Sequence, residues 1–390
     1  MHGCTEKKET RYVEGLLYLD GQPVQIEIVD GKISKIKHLT SRSDFPEIYI
    51  APGLIDIQIN GYMGVDFSDQ QLTQEIMHEA TRALWKEGVT TYLPTLITRD
   101  QERLEKSCSL LAESLDDEVI GMSIPGFHLE GPYISPIAGY RGAHPEKHIR
   151  LPDWDEFSEL QEAAHQGIRL ITVAPEMKGA IPFIKKCSES GLVVSLGHHN
   201  GTPEIIDQAV DAGATLSNHL GNGCANEINR HHNPFWPQLS NDGLSISIIS
   251  DGSHLTKEEV RTFYKVKGKE GTILVSDALS FAGLPLGEYE KDGFTYLLTK
   301  DVVKFPAENV LAGAAMPISR CISNAMRFTQ CDLREAIQMA STNPARLMGL
   351  DNLGEISQGK RADLILFTME DGELVIQLTM VAGNVVYSKE

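Results

Sequence analysis

Four short segments of this chain carry residues able to hold a metal or move a proton. They are His128–Leu129–Glu130–Gly131–Pro132, Gly197–His198–His199, Asn218–His219–Leu220 and Ser276–Asp277–Ala278. One carboxylate and two imidazoles match the ligand shell of a catalytic zinc, which keeps a fourth position open for water. Asp277 would then face that water as an acid–base group. Taken singly, a His after an apolar run is a structural residue and a Glu–Gly–Pro is a turn. At successive strand ends, the four segments together point to a metallohydrolase.

The elements that must position them follow from the apolar pattern. Eight runs read as strands: Gly53–Ile59, Thr90–Thr95, Gly121–Leu129, Arg169–Ala174, Leu192–Leu196, Ala214–Asn218, Leu244–Ser250 and Thr272–Ser276. Helical patterns fall between most of them, at Gln71–Glu87, Gln101–Leu115, Asp153–His165 and Pro203–Ala212. Alternating strands and helices over this length predict an α/β protein, a TIM-like (β/α)8 barrel, whose functional residues cluster where strands end. Both chain ends read differently. Val24–Val29 and Ile33–Ile36 are short alternating strands set off by the turns Asp20–Gly21 and Asp30–Gly31, and Ala362–Phe367, Leu374–Ile376 and Val381–Tyr387 repeat the pattern. These ends predict a small β-sandwich domain built from residues 1–52 and 355–390, flanking a barrel over 53–354. Met1–Thr10 reads as a loose tail.

Composition narrows the partners. Asp and Glu number 54 against 35 Lys and Arg, a formal charge of −19. Such a chain is a poor ligand for nucleic acid or an anionic membrane. No apolar run is long enough to span a bilayer. The six cysteines are scattered with no CxxC, as in a reduced, cytoplasmic protein. An anionic substrate would need positive charge concentrated locally.

The motifs resemble the N-acetylglucosamine-6-phosphate deacetylases of the amidohydrolase superfamily. The resemblance runs through Ala51–Gly61, Gly64–Phe67, His128–Ser135, Gly142–Pro145, Gly197–His198, His219–Asn222, Asp251–His254, Ser276–Ala278, Leu311–Gly313 and Ser341–Ala345. It implies an amidohydrolase barrel with a terminal β-sandwich, and Glu130, His198 and His219 as ligands of a divalent metal, Zn2+ first among Fe2+ and others. It implies Asp277 as the base that deprotonates water and then protonates the leaving amine. His199 adjoins a ligand, but neighbouring strand residues face opposite sides, which sets it aside. By the same resemblance Ala143 and His144 contact the sugar or its acetamide, and Asn222 and Gly223 lie near the phosphate. His254 contacts sugar or phosphate, Leu311, Ala312 and Gly313 line the acetyl pocket, and Arg230 grips the phosphate with its guanidinium fork. A homodimer is also implied.

Departures from the family pattern are local. The superfamily's His-x-His on the first strand is Gln58–Ile59–Asn60 here. Amides are poor zinc ligands, so one metal per subunit is expected. The loop from Gly221 to Trp236 lacks the family's aromatic and Met, and His231 and His232 come after Arg230. Those two would add positive character or pack on Trp236. Gly139–Tyr140–Arg141–Gly142 could form a lid that brings Arg141 to an anion. The alternatives are the galactosamine epimer, a non-phosphorylated N-acetyl sugar, another amidohydrolase, or a non-catalytic sugar-binding protein. A two-metal amidohydrolase often has a modified Lys on the fourth strand, where this chain reads Val173–Ala174–Pro175–Glu176. The joint presence of Glu130, His198, His219 and Asp277 argues against loss of catalysis.

Overall fold

Residues 9–40, 46–291, 293–306 and 310–389 are described by a computed structural model. The expected tail therefore falls largely outside the described residues, and Thr10 already opens a strand. Eight parallel strands form one sheet in strict chain order, from Leu54–Ile59 through Val89–Ile97, Phe127–Glu130, Ile168–Val173, Val193–Leu196, Ala214–Ser217 and Ser245–Ile248 to Thr272–Leu274. The sequence-predicted barrel is present. Its strands read as unbroken apolar runs because both faces are covered: every residue of Leu54–Ile59 is buried. The third strand is shorter than expected. Gly121–Ser123 is a helical turn instead, and Pro125, which has no N–H to give a ladder, separates it from Phe127.

The sheet closes at the seam between its first and last strands. Asp277 N–H donates to Gln58 O at 2.9 Å, and Asn60 N–H donates to Ala278 O at 2.9 Å. One rung is made by a side chain: Asp56 Oδ1 accepts the N–H groups of Ser276 at 3.2 Å and Gln58 at 3.3 Å. Burial pushes the Asp56 carboxyl up to about 7. Below the mouth, Ile55, Ile57, Leu93, Leu170, Leu216, Ile249, Ile273 and Val275 fill the barrel interior. Helices cover the outside, and several of them start on side-chain caps. Asp100 Oδ1 accepts from Arg103 N–H at 3.1 Å, and Asp153 Oδ1 accepts from Asp155 at 2.9 Å and Glu156 at 3.1 Å.

The two chain ends share one seven-stranded, largely antiparallel sheet. Its order places Tyr49–Pro52 between Thr10–Leu17 and Leu364–Glu370. One element was not foreseen in the sequence: a four-stranded antiparallel sheet over 287–314, between the last barrel strand and the helix Ile318–Thr329. Its strands are short and mostly half-exposed, and the first three are interrupted by charged or polar residues, so they give little strand signal. Leu279 N–H donates to Ala314 O at 3.0 Å, which ties this sheet to the strand end that bears Asp277.

The Ser341–Ala345 motif is structural. It lies in a π-helical turn running into a short helix. Ser341 Oγ donates to Gly53 O at 2.7 Å, and Asn343 Nδ2 donates to Lys269 O at 2.6 Å and Thr272 O at 2.7 Å. These bonds hold the starts of the first and last barrel strands. Asn343→Ala leaves two carbonyls without their donor, and each such loss costs about 1–3 kcal/mol. Urea denaturation of Asn343→Ala should show a loss of about 2–4 kcal/mol; an unchanged midpoint and slope would refute this role.

Candidate metal centre and active site

All the sequence-predicted ligands come together at the carboxyl ends of the strands. His219 Nε2 lies 2.9 Å from Glu130 Oε1, His198 Nε2 lies 3.3 Å from the same oxygen, and the two imidazole nitrogens are 3.1 Å apart. Ligands held at about 2.1 Å in a tetrahedral zinc shell stand roughly 3.4 Å from one another. The three donors therefore already span one face of such a shell. All three residues are buried. His198 Nδ1 donates to Tyr140 O at 3.0 Å, which fixes the ring with Nε2 turned towards Glu130 and His219. His144 joins from the other side of the carboxylate, with Nε2 3.8 Å from Glu130 Oε2. Glu130, His144 and His198 likewise offer ligand atoms within 4.8 Å of one another. The cluster fits a divalent metal.

The backbone bends to bring these side chains in. His198, His219 and Asp277 have φ of 52°, 27° and 48°. This left-handed region is costly for residues with a Cβ and gathers at functional sites. Cross-strand bonds hold them there: Ser135 N–H donates to His198 O at 3.0 Å, and His219 N–H donates to Ser247 Oγ at 2.7 Å.

The two carboxylates are driven apart electrostatically. Burial alone would raise the Glu130 carboxyl, but hydrogen bonds from His198 and His219 hold it well below the usual range. Gln58 Nε2 at 2.9 Å and Asn218 Nδ2 at 2.7 Å add two neutral donors to Glu130 Oε1. Asp277 moves the other way. Burial and the Glu130 charge push its carboxyl up to about 6, opposed by His219, His254 and the Asn60 amide at 2.7 Å. Burial pushes the His144 imidazole down to about 3 and that of His199 to about 4. His199 is satisfied away from the metal donors: Gly201 N–H donates to its Nδ1 at 3.1 Å, and Gln238 bonds the ring.

The expected substrate contacts divide into two groups. His144 is buried in the cluster, beside exposed Ala143, and its Nδ1 bonds Thr98 Oγ1 at 2.8 Å. His254 Nδ1 donates to the buried Asp251 Oδ2 at 2.6 Å. Gly313 packs on Leu279, two residues past Asp277, so Leu311, Ala312 and Gly313 run beside the mouth. Gly223 lies against the His198 ring. Asn222 turns its amide to His219 O at 3.1 Å. Arg230 stands apart: its side chain is exposed and has no ion pair among the described residues, while its carbonyl accepts from Trp236 Nε1 at 2.8 Å. His231 and His232 are exposed, with backbone N–H groups on Asn229 Oδ1 at 2.9 Å each. Arg141 pairs with Glu146 at 3.4 Å.

Gln58, Thr98, Tyr140, Asn218 and Asp251 are site residues that sequence reasoning did not assign. Gln58 was visible only as a replaced imidazole, and Asn218 and Asp251 only as neighbours within motifs. Tyr140 was visible only within the Gly139–Gly142 motif, and nothing local marks Thr98, which arrives from the second strand end.

The profile of the amidohydrolase family matches residues 49–386. The fold and site thus define a barrel hydrolase of that family. The human N-acetylglucosamine-6-phosphate deacetylase (Homo sapiens) is 31% identical over 362 residues, covering 87% of this chain and 84% of that protein. The N-acetylgalactosamine-6-phosphate deacetylase of Shewanella sp. (strain ANA-3) is 31% identical over 378 residues, covering 94% and 92%. The crystal structure of N-acetylglucosamine-6-phosphate deacetylase from Thermotoga maritima superposes with a TM-score of 0.85 at 30% identity, covering 97% of this chain and 100% of that one. Within the amidohydrolases, the chain belongs to the N-acetylglucosamine-6-phosphate deacetylase family.

The packing of glycine on His198 makes a prediction. A Cβ at Gly223 would stand 2.6 Å from His198 Nδ1, whereas at Gly142 the nearest ring atom is 3.1 Å away. Gly223→Ala should weaken metal binding about 10–100-fold, the usual cost of disturbing a ligand's support, and Gly142→Ala should weaken it less. Titration against a chromophoric chelator measures both; equal effects would contradict the geometry.

Proposed function

We propose that this chain is a metal-dependent deacetylase that hydrolyses the acetamide of N-acetylglucosamine 6-phosphate to glucosamine 6-phosphate and acetate. The observation that carries the reading is the meeting of Glu130, His198 and His219 within 3.3 Å of one another, with Asp277 at the end of the eighth strand on the same mouth. Zn2+ is the metal of choice for two imidazoles and a carboxylate. When bound, such a cation supplies Lewis-acid chemistry, polarising the acetamide carbonyl and acidifying water.

The protein groups do the rest. Asn60 occupies Asp277 Oδ1, so Oδ2 takes the proton of the attacking water. The protonated Asp277 then gives that proton to the amine nitrogen as the C–N bond breaks. With the Thr98 hydroxyl donating to Nδ1, His144 carries its proton on Nε2 and offers it to the carbonyl oxygen as negative charge builds there. Ala143 and His144 take the acetamide end, and Leu311, Ala312 and Gly313 enclose the acetyl methyl. His254, steadied by Asp251, meets the sugar or its phosphate, with Asn222, Gly223 and Arg230 completing the anion site. Arg230 moves inward to do so, or a second subunit supplies its setting, since we take the enzyme to work as a homodimer. Cytoplasmic placement is part of the same reading. It is supported by the free thiols of Cys108, Cys187, Cys224, Cys321 and Cys331 and by the absence, among the described residues, of a helix long and apolar enough to cross a membrane.

The galactosamine 6-phosphate epimer is the second reading, favoured by deacetylases for that sugar from Shewanella sp. (strain ANA-3) and Escherichia coli O157:H7 at 31% and 30% identity. Acetate release from the two phosphorylated epimers and from unphosphorylated N-acetylglucosamine separates these readings. Asp277→Asn should retain the metal and lose about 10²–10⁴ in kcat, the scale of acid–base assistance. Arg230→Ala should raise KM for the phosphorylated sugar alone. Because Asp277 must be ionised to accept a proton, and its carboxyl is raised to about 6, kcat/KM should climb through pH 6 and level off above it. Protein that holds no divalent metal and releases no acetate from any N-acetylhexosamine phosphate would overturn the assignment.

A further inference from the structure

The first barrel strand ends in two amides whose donors both point at carboxylates. Gln58 and Asn60 are two residues apart, the spacing that puts strand side chains on one face. Gln58 Nε2 donates to Glu130 Oε1 at 2.9 Å, and Asn60 Nδ2 donates to Asp277 Oδ1 at 2.7 Å. The opposite ends of both amides are idle: Gln58 Oε1 and Asn60 Oδ1 are buried with no hydrogen-bond partner. Flipping either amide would set its oxygen against a carboxylate oxygen, so the carboxylates fix the orientation.

We propose that Gln58 and Asn60 are positioning residues, Gln58 for the carboxylate of Glu130 and Asn60 for that of Asp277. This rests on Glu130 as a metal ligand and Asp277 as the base. Each amide takes up one oxygen of its carboxylate. At Asp277 that leaves Oδ2 as the oxygen free to handle the proton. At Glu130 it joins Asn218 in pinning the oxygen that meets both imidazoles.

The backbone makes the pair act in register. Asp277 N–H donates to Gln58 O, and Asn60 N–H donates to Ala278 O, each at 2.9 Å. The Asp56 carboxylate spans the same seam one step below. Gln58 and Asn60 are therefore fixed to the strand that carries Asp277 before any substrate arrives. Neutral amides suit the task because they donate without adding charge. An imidazole in either place would present a lone pair or a proton according to pH.

Volume-matched variants separate positioning from space filling. Gln58→Met and Asn60→Leu keep bulk and remove the donors. In Gln58→Met, Zn2+ affinity of the purified enzyme, read by chelator competition without substrate, should fall about 10–100-fold. In Asn60→Leu, Zn2+ affinity should stay within about twofold of wild type while kcat falls at least about tenfold with KM little changed, since a proton-handling group has lost its support. The acid limb of its kcat profile should also move to higher pH, because the lost donor favoured ionised Asp277. Gln58→Asn, whose amide is one methylene too short, and Asn60→Asp, which replaces donor by acceptor, carry the same test should an apolar variant fail to fold. Wild-type Zn2+ affinity in the Gln58 variants, or wild-type kcat and acid limb in the Asn60 variants, would overturn this proposal alone. A wild-type enzyme that binds no Zn2+ and releases no acetate would overturn the deacetylase reading, and this proposal with it.

Discussion

Glu130 is a carboxylate sealed from water at the mouth of a barrel, and most of what surrounds it exists to make that tolerable. An ionised carboxylate without partners would be neutralised or expelled. Here Gln58 arrives from the first strand, His198 from the fifth, and Asn218 and His219 from the sixth, all within hydrogen-bond or ion-pair distance of one oxygen. Removing any one leaves a buried charge short of a donor. That requirement is strong enough to hold His198 and His219 in a left-handed backbone conformation that neither residue favours.

The same charge sets the chemistry of its neighbour. Glu130 is kept ionised by imidazoles, and its field helps keep the Asp277 proton on. Two carboxylates in one cavity are thereby pushed to opposite sides of their ordinary range, the arrangement that lets one hold a cation while the other exchanges a proton near neutral pH. The imidazoles of His128, His144 and His199 are pushed down by burial and stay neutral, so they add no positive charge beside the two carboxylates.

The overall charge of −19 acts at longer range. It is unfavourable for any anion, and the cations that could offset it around the mouth are few. Arg141 is engaged by Glu146, and Arg230 stands in solvent. His254 is nearly buried and its Nδ1 is taken up by the Asp251 carboxylate at 2.6 Å. In the proposed reading, recognition of a sugar phosphate falls to a small number of groups on loops, where sequence also departs most from the family pattern. The cluster of Glu130, His198 and His219, by contrast, is gathered from strand ends of one chain.

Much of this was legible in the sequence. Parallel strands buried on both faces appear as apolar runs, so all eight barrel strands could be counted, and polar residues closing those runs marked Glu130, His198, His219 and Asp277. Sidedness along a strand set His199 apart from the ligands. The mostly half-exposed strands over 287–314 escaped because such a pattern resembles a loop, and Gly121–Ser123 differs from the expected strand because Pro125 and Gly126 break the apolar run before Phe127. The amino-acid sequence by itself thus determined which residue types sit at the mouth, since covalent order fixes the residues that come directly after each strand. Only the tertiary structure decided which of their atoms meet. The contacts of Gln58 and Asn218 with Glu130 span 72 and 88 residues, and that of Asn60 with Asp277 spans 217. Closure of the barrel brings such distant positions into register, and no local preference of these residues encodes it.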